Sequence, residues 1–277
     1  MAHPSAFKYV FAPPHPAARP FLGIGAALVV VGLIFATWLA WIGIAFILFC
    51  LYFFRDPERF PPARPDVLLA PADGHVVSVA LTAPPPELGL GAIPRWRVAI
   101  FLSVLDVHVN RMPADGTVTR IAYHHGKFLS ANMDKASDEN ERNALAIRLT
   151  DGREIAVVQI AGLIARRILC DVKEGDHVQA GGRFGIIRFG SRTDLYLPEG
   201  VLPLVREGQT MIGGETVIAE MGEPLDTAAG TTETVVADAA GTEEEGLPPE
   251  AIIPLSTGPG AAPEPPQAPR PPEPLLP

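Results

Sequence analysis

A glycine–serine bond, Gly190-Ser191, lies between two strand-like runs of the chain. Glycine tolerates backbone geometry that other residues resist, and its carbonyl is open to attack by the neighbouring hydroxyl. Gly-Ser is also a common turn dipeptide, and that plain interpretation is the default for the pair alone. Two further side chains favour chemistry, because the same chain supplies a carboxylate at Asp73 and an imidazole at His108.

The chemistry open to Ser191 is attack on the carbonyl of Gly190. Such an attack needs a base and a group that stabilises the oxyanion. It converts the amide to an ester, and β-elimination from that ester splits the chain and leaves dehydroalanine, which hydrolyses to a pyruvoyl group. A pyruvoyl carbonyl accepts an amine and acts as an electron sink, the role that pyridoxal phosphate has in other enzymes.

The carboxylate and the imidazole each have a structural alternative. Asp73 lies in a Pro-Ala-Asp-Gly turn, and the same tetrapeptide recurs around Asp115, so an ordinary turn aspartate remains open. Strand alternation predicts that Asp106, His108 and Asn110 share one face. Histidine oriented by a carboxylate suits general base catalysis, and a buried, hydrogen-bonded histidine is the other interpretation.

Three more residues are candidates for substrate binding. Asn110 and Arg111 follow His108, and arginine is well suited to bind a phosphate group; a surface or structural role is equally open for both. Lys127 is the third candidate. Composition favours a solvated charge cluster for residues 141–143. No pair of histidines has the spacing of a zinc site, so no metal is predicted.

Residues 21–54 form a run of 34 residues without a formal charge. A membrane-spanning helix needs about 20 apolar residues, so the run predicts two short helices that break near residues 36–38. A single tilted helix and a buried soluble helix are the alternatives. Basic residues flank both ends, and positive charge favours the cytoplasmic side. The sequence therefore predicts a hairpin at the cytoplasmic face of the cell inner membrane. The flanking residues are Lys8, Arg19, Arg55, Arg59 and Arg64.

Composition divides the chain into four segments. Residues 1–20 precede the predicted membrane hairpin 21–54, and residues 55–221 form a domain of short Val-, Ile- and Leu-rich runs that reads as mostly β. Residues 222–277 are rich in proline, glutamate and alanine, and they are predicted to be a disordered tail. The net charge is −9, and residues 223–277 account for it with ten acidic residues and one basic residue. The remainder is neutral, so no basic excess indicates nucleic acid.

Two patterns recur within the β domain. The motif at residues 71–76 recurs at 113–118, and Val-x-Glu-Gly at 172–175 recurs at 205–208, each time with a Gly-Gly pair after it. Paired units of this kind resemble the half-motifs of lipoyl- and biotinyl-type domains. The predicted fold is therefore mainly β, a barrel-sandwich-like domain with pseudo-two-fold repeats.

The motifs together resemble the phosphatidylserine decarboxylase family, in its short form with an N-terminal membrane segment. The resemblance covers roughly residues 53–219, and the joint pattern is specific although each piece alone is not. The matching segments are 71–74, 106–113, 126–128, 140–143 and 189–191.

The resemblance implies self-cleavage between Gly190 and Ser191, which gives a β chain of residues 1–190 and an α chain of residues 191–277. Ser191 would become the pyruvoyl cofactor. Asp73 matches a family aspartate implicated in self-cleavage, and His108 matches a histidine at the catalytic centre. Longer bacterial relatives have a second histidine where this chain has Arg111, so the division of work between two histidines does not carry over.

The function implied by the resemblance is decarboxylation of phosphatidylserine to phosphatidylethanolamine, with the hairpin holding the site at the bilayer. The expected partners are phosphatidylserine and membrane lipid, and a homodimer is one candidate assembly. The alternative class is a membrane-anchored barrel-sandwich adaptor or carrier without enzymatic activity. The chain has no heptad stretch for an adaptor's helical hairpin and no lysine in a carrier-type turn.

Overall fold

The structure is a computed structural model that describes residues 11–126, 140–162, 167–188 and 191–222. The predicted tail, apart from Gly222, lies outside these residues, as do Lys127 and Gly190. The described residues form an N-terminal pair of apolar helices followed by a mainly β domain. This confirms the predicted fold class.

The two helices are α1 (Arg19–Phe35) and α2 (Thr37–Phe53). They are separated by Ala36, whose extended backbone (φ −164°, ψ 107°) breaks the helical run. The helices pack closely through Gly25, Gly32 and Gly43, where an added side-chain carbon would collide with the facing helix, as is usual where membrane helices approach. The 20 residues of Pro16–Phe35 are long and apolar enough to cross a membrane, and Thr37–Phe53 is apolar but shorter.

The β domain is built from thirteen strands within the described residues. They are β1 (Val67–Leu69), β2 (Gly74–Thr82), β3 (Arg95–Leu102), β4 (Val109–Arg111), β5 (Gly116–His124), β6 (Arg142–Leu149), β7 (Glu154–Ala161), β8 (Ile168–Cys170), β9 (His177–Val178), β10 (Arg183–Ile187), β11 (Ser191–Tyr196), β12 (Thr210–Met211) and β13 (Val217–Glu220).

The largest sheet has eight antiparallel strands in the order β12-β2-β3-β11-β7-β6-β5-β9. Its middle strands, β3, β11, β7 and β6, are buried over most of their length. Strands β4, β10 and β8 form a second sheet, and β1 pairs with β13. Strand β11 therefore lies at the centre of the large sheet, between β3 and β7.

The predicted pseudo-two-fold relation is visible in the pairing. Gly74 and His75 of β2 pair with β12, and Gly116 and Thr117 of β5 pair with β9. Both β2 and β5 carry a bulge a few residues from their start. The order of the large sheet reads symmetrically about the boundary between β11 and β7. The repeated motifs are thus equivalent structural units, each consisting of a turn, a long strand and a short partner strand.

Two local predictions need correction. Asp106 does not share a strand face with His108, because β4 begins only at Val109. Its carboxylate instead accepts hydrogen bonds from the backbone and the hydroxyl of Ser103, at 2.8 and 2.6 Å, and closes a turn. Of the cluster predicted to be solvated, Glu141 and Asn143 are buried. Asn143 is enclosed because β6 pairs on both sides with β5 and β7.

Candidate active site

Ser191 is the first residue of β11 and is fully buried. It pairs with Leu102 of β3 on one side and with Ala161 of β7 on the other. Among the described residues its Oγ has no hydrogen-bond partner. A buried hydroxyl without a partner is costly, and such groups often mark a reactive position. The preceding Gly190 lies outside the described residues, so the cleavage bond is seen from its serine side alone.

His108 is also fully buried, just before β4. Its Nδ1 lies 2.9 Å from the carbonyl oxygen of Asp106. A carbonyl can only accept a hydrogen bond, so Nδ1 carries the proton and Nε2 has the free lone pair of a base. That Nε2 has no hydrogen-bond partner among the described residues. Burial lowers the pKa of His108 to about 4, although the hydrogen bond to Asp106 opposes the shift. The imidazole is therefore neutral at physiological pH.

A hydrogen-bonded contact fixes β4 against the large sheet. The Asn110 side-chain amide donates to Oγ1 of Thr193 at 3.2 Å and accepts from Nε2 of Gln159 at 2.8 Å. Gln159 in turn accepts from the amide of Asn143 at 2.9 Å. All four side chains are buried, and fully satisfied networks of this kind hold their strands in one position. Asn110 is thus fixed at the level of Thr193.

Two buried residues of the predicted site, Ser191 and His108, lie close to this contact in the sequence. Ser191 lies two residues before Thr193 on β11, and His108 lies two residues before Asn110. The carbonyl of His108 accepts a hydrogen bond from the backbone amide of Ile187 at 3.3 Å. Ile187 packs in a buried cluster with Ala161, which is the register partner of Ser191. Ile187 therefore bonds to the chain at His108 and packs against the register partner of Ser191, so one residue links the surroundings of the two side chains.

Asp73 lies at the start of β2 and is also buried. Its two carboxylate oxygens accept hydrogen bonds from Arg59 at 2.9 and 2.7 Å, and Oδ1 accepts another from the backbone amide of Gly213 at 2.8 Å. Only β3 separates β2 from β11. Two strand spacings amount to about 10 Å. Asp73, at the start of β2, is therefore separated from Ser191 on β11 by the width of one intervening strand.

The predicted substrate-binding residues have different surroundings. The amide of Asn110 is bonded at both ends within the protein, as described above. Arg111 donates to Asp56 at 3.1 Å, to the Pro57 carbonyl at 2.6 Å and to the Gly181 carbonyl at 2.9 Å. Burial lowers the pKa of Arg111 to about 10, which leaves it charged at neutral pH. Substrate contact by these two residues stays a prediction, and Lys127 lies outside the described residues.

Sequence reasoning missed the ion pair beside the serine. Arg192 donates to both carboxylate oxygens of Asp194, at 2.6 and 2.7 Å, and both side chains are buried. They point to the face of the sheet opposite to Ser191 and Thr193, because side chains alternate along a strand. The i, i+2 spacing of Arg and Asp in a strand is the one sequence signal that indicates this pair.

Two residues of the cluster at 140–143 also adjoin the site. The amide of Asn140 donates to the carbonyl of Ala161 at 2.8 Å, and Glu141 accepts a hydrogen bond from the hydroxyl of Tyr123. Burial, followed by this hydrogen bond to Glu141, raises the pKa of Tyr123 to about 12. These buried polar groups brace the end of β7 that faces Ser191. In the parts of the chain that the structure describes, no three His, Cys, Asp or Glu side chains converge as metal ligands.

The mainly β domain with its apolar helix pair is the fold class that the sequence predicted, and comparison with known proteins supports the resemblance drawn from the motifs. The family model described as phosphatidylserine decarboxylase matches residues 46–219. The chain is 73% identical over 221 residues to the phosphatidylserine decarboxylase proenzyme of Granulibacter bethesdensis, which covers 80% of this chain and 91% of the relative.

Two further relatives have the same printed name. The proenzyme of Gluconacetobacter diazotrophicus is 64% identical over 220 residues, and that of Gluconobacter oxydans is 63% identical over 221 residues. Each match covers 78% of this chain and 98% of the relative. The chain belongs to the phosphatidylserine decarboxylase family. The resemblance drawn from the motifs is thereby confirmed.

Proposed function

We propose that this protein is a pyruvoyl-dependent carboxy-lyase that converts phosphatidylserine to phosphatidylethanolamine. Family membership over residues 46–219 supports the assignment of the substrate and of the reaction class. The residue-level proposal rests on Ser191, whose buried hydroxyl has no partner among the described residues. The printed names of the relatives call them proenzymes, which supports a precursor that must be processed.

The first step is cleavage of the chain at Gly190-Ser191. Ser191 Oγ attacks the carbonyl carbon of Gly190 and passes its proton to Nε2 of His108, and the amide becomes an ester. Loss of the Ser191 Cα proton then breaks the ester C–O bond. Residues 1–190 leave as a β chain that ends in a carboxylate, and residues 191–277 form the α chain. Hydrolysis of the dehydroalanine at position 191 releases ammonia and leaves the pyruvoyl group.

Residue 191 is a suitable position for that cofactor. Ser191 Oγ and His108 Nε2 are both buried and have no hydrogen-bond partner among the described residues, so a carbonyl formed at position 191 would lie in an enclosed position. The pyruvoyl group supplies an electron sink for decarboxylation of an amine-bearing substrate. Neutral His108 would take up on Nε2 a proton that the substrate ammonium group loses, and would return it to the substrate carbon after carbon dioxide has left.

Two interactions hold the start of the α chain after its covalent link to residue 190 is cut. The bidentate Arg192–Asp194 pair fixes the residue next to position 191. Asn110 holds Thr193 from the opposite face. Bidentate pairs such as Arg192–Asp194 fix geometry as well as charge. Because Asn110 binds Thr193, its role is to position the α chain, whichever group binds the substrate phosphate.

The helix pair supports a location at the cytoplasmic face of the inner membrane. One helix is long and apolar enough to cross a bilayer, and the exposed Arg19 at its start favours the cytoplasmic side. The loop before His108 exposes Val104 and Leu105 beside the base of α2, and exposed apolar side chains of this kind insert into a lipid interface. A homodimer stays a prediction. Family membership favours the enzyme over the adaptor and carrier alternatives.

The test is self-cleavage and product formation by the full chain in phosphatidylserine vesicles. Wild-type protein is expected to run as two fragments on a denaturing gel and to release carbon dioxide. Ser191→Ala is expected to stay whole and inactive. Ser78→Ala is the matched control, because Ser78 also lies in a strand of the large sheet but is partly exposed. A Ser191→Ala protein that still splits or still releases carbon dioxide would refute the proposal.

A further inference from the structure

The chain segment that leaves the helix pair touches three of the residues that the sequence predicted for the site. We call residues 53–59 the post-hairpin segment. Its residues Phe53, Asp56 and Arg59 follow each other at intervals of three. Phe53 contacts His108, Asp56 contacts Arg111, and Arg59 contacts Asp73.

The contact of Phe53 with His108 is close. The ring centroids lie 4.1 Å apart with an interplanar angle of 35°, and both side chains are fully buried. Phe53 is the last residue of α2 and belongs to a buried cluster with Phe54, Val107 and Val109. The end of the membrane helix therefore forms one wall of the imidazole's surroundings and keeps water from it.

The contact of Arg59 with Asp73 is equally enclosed. The side chains are 2% and 6% exposed, and the shortest N···O distance is 2.7 Å. A buried carboxylate is stable only with a partner of opposite charge and good geometry. Arg59 supplies that partner and fixes which way the carboxylate points.

The last turn of α2 also holds the loop that leads into His108. The hydroxyl of Tyr52 donates to the carbonyl of Leu105 at 3.1 Å, and the guanidinium of Arg55 donates to the same oxygen at 2.7 Å. Arg55 also donates to the carbonyl of Tyr52 at 2.9 Å. Asp56 pairs with Arg183 on β10 at 2.5 Å as well as with Arg111. The segment is thus fixed to the loop before His108 and to two strands of the three-stranded sheet.

We propose that the post-hairpin segment belongs to the active site and is needed for catalysis, because Phe53 positions His108 and Arg59 positions Asp73. The helix pair is then needed for catalysis itself and not only to hold the protein at a bilayer. The inference rests on the proposed function of His108 and Asp73. Its consequence is that damage to the segment impairs the reaction even when no bilayer is present.

The first test uses a phosphatidylserine with acyl chains short enough to dissolve as monomers. Phe53→Ala is expected to lower kcat by about tenfold or more, because a misplaced general base loses much of its effect. Hydration of the imidazole is also expected to move the acid limb of the kcat profile to higher pH, with Asp106 and Arg55 as the charged neighbours of His108. Phe53→Leu, which keeps the apolar wall, should restore most of the activity.

Phe49→Ala is the matched control, because Phe49 lies one turn earlier on α2, with its ring 5.9 Å from that of Phe53, and is exposed. It removes the same apolar area from the helix but leaves His108 covered, so it should keep the wild-type kcat and pH profile. Cooperative thermal unfolding shows that a variant has folded, because His108 is also the proposed base of self-cleavage and a folded variant can stay uncleaved. Slower cleavage or a shifted acid limb in folded Phe53→Ala supports the inference, whereas wild-type cleavage together with a wild-type acid limb overturns it.

The second test follows self-cleavage of newly made precursor on denaturing gels. Arg59→Met is expected to slow cleavage by about tenfold or more, and Arg59→Lys to recover part of the rate because it keeps the charge. Arg64→Met is the control, since Arg64 pairs with Asp66 and Glu220 at the exposed surface. Equal cleavage rates for Arg59→Met and wild type overturn the inference. Wild-type protein that neither cleaves nor releases carbon dioxide overturns the proposed function itself, and the inference with it.

Discussion

The two Pro-Ala-Asp-Gly turns have the same backbone role and different surroundings. In each turn the aspartate Oδ1 accepts a hydrogen bond from a backbone amide, from Gly213 to Asp73 at 2.8 Å and from Ala180 to Asp115 at 2.7 Å. Asp73 is buried and paired with Arg59, whereas Asp115 is exposed. The repeat explains the turn, and the post-hairpin segment, which reaches only Asp73 with an arginine, explains the difference.

The strands that precede the two turns also differ, and here the second turn, not the first, is preceded by polar residues. Ala70 and Met112 occupy equivalent positions, because each precedes a Pro-Ala-Asp-Gly turn and exchanges backbone hydrogen bonds with a segment that contains a Gly-Gly pair. Strand β1 before the first turn is apolar throughout, whereas β4 before the second carries Asn110 and Arg111 and follows His108. We call the repeat that contains Asp73 the first copy and the repeat that contains Asp115 the second copy. The first copy therefore contributes the aspartate to the site, and the second contributes the histidine. A symmetric framework forms one asymmetric site.

The largest expected difference between the copies is in self-cleavage. Asp73→Asn should slow cleavage by about 100-fold or more, because it removes the charge that Arg59 holds in place. Asp115→Asn should leave the rate unchanged, because that carboxylate faces solvent. Time courses of the precursor band on denaturing gels measure both rates. Equal slowing of the two variants would mean that the aspartates serve the fold alone.

A second difference is expected in stability, measured by chemical unfolding of the uncleaved Ser191→Ala chain. Asp73→Ala should cost about 3–5 kcal/mol, because it breaks a buried ion pair by removing the carboxylate from the Arg59 guanidinium. Asp115→Ala should cost about 1 kcal/mol for one lost hydrogen bond. Similar losses from the two substitutions would contradict the claim that only one copy is buried and paired.

The free energy of unfolding should depend on acid through His108, which lies in the second copy. The pKa of His108 is about 4 in the folded chain, lowered first by burial, against an ordinary value of 6.5. Between pH 6.5 and 4 the unfolded chain binds a proton that the folded chain does not, so stability falls as the pH falls through this window. The loss attributable to His108 amounts to about 3 kcal/mol.

Unfolding of the Ser191→Ala chain at several pH values measures this loss. Adding His108→Leu should remove about that much of the acid dependence. His75→Leu, which replaces an exposed imidazole in the first copy, is the matched control. If both substitutions change the slope equally, His108 is not the group that the acid titrates.

The smallest expected effect tests the symmetry itself. Gly175 and Gly208 have positive φ angles of 90° and 85°, and a side-chain carbon added at either would meet no neighbouring atom. Alanine at either position should therefore cost the same, about 1–2 kcal/mol, because only the left-handed backbone opposes it. Unequal losses would show that the two Val-x-Glu-Gly turns are not equivalent.

Much of the framework could be predicted from the sequence because it depends on local patterns. The uncharged run gave the helix pair, and the two repeated motifs gave the pseudo-two-fold β domain. Arg55 and Arg59 show where local patterns fail to predict the structure. Both were interpreted as charges that orient a hairpin, yet both are buried and bind Leu105 and Asp73. Partners 50 and 14 residues away are set by the tertiary fold, which charge counting does not include.

The site shows the same limit. The residue types and the family motifs indicated Ser191, His108 and Asp73, but alternation placed Asp106 wrongly, because it assumes a strand where Ser103 and Asp106 close a turn. Composition made residues 141–143 appear solvated, because it records polarity and not the two strands that enclose β6. The role of Phe53 had no sequence signal, because a phenylalanine at the end of an apolar helix looks like every other one.

The central claim is that residue 191 becomes a carbonyl group by cutting its own chain. Peptide mapping of purified wild-type protein by mass spectrometry, before and after phenylhydrazine treatment, tests it directly. The account predicts a β chain that ends at Gly190 and an α chain whose first residue, at position 191, forms the phenylhydrazine adduct. An active protein that remains a single chain, or an α chain that begins with an unmodified serine amine, would contradict it.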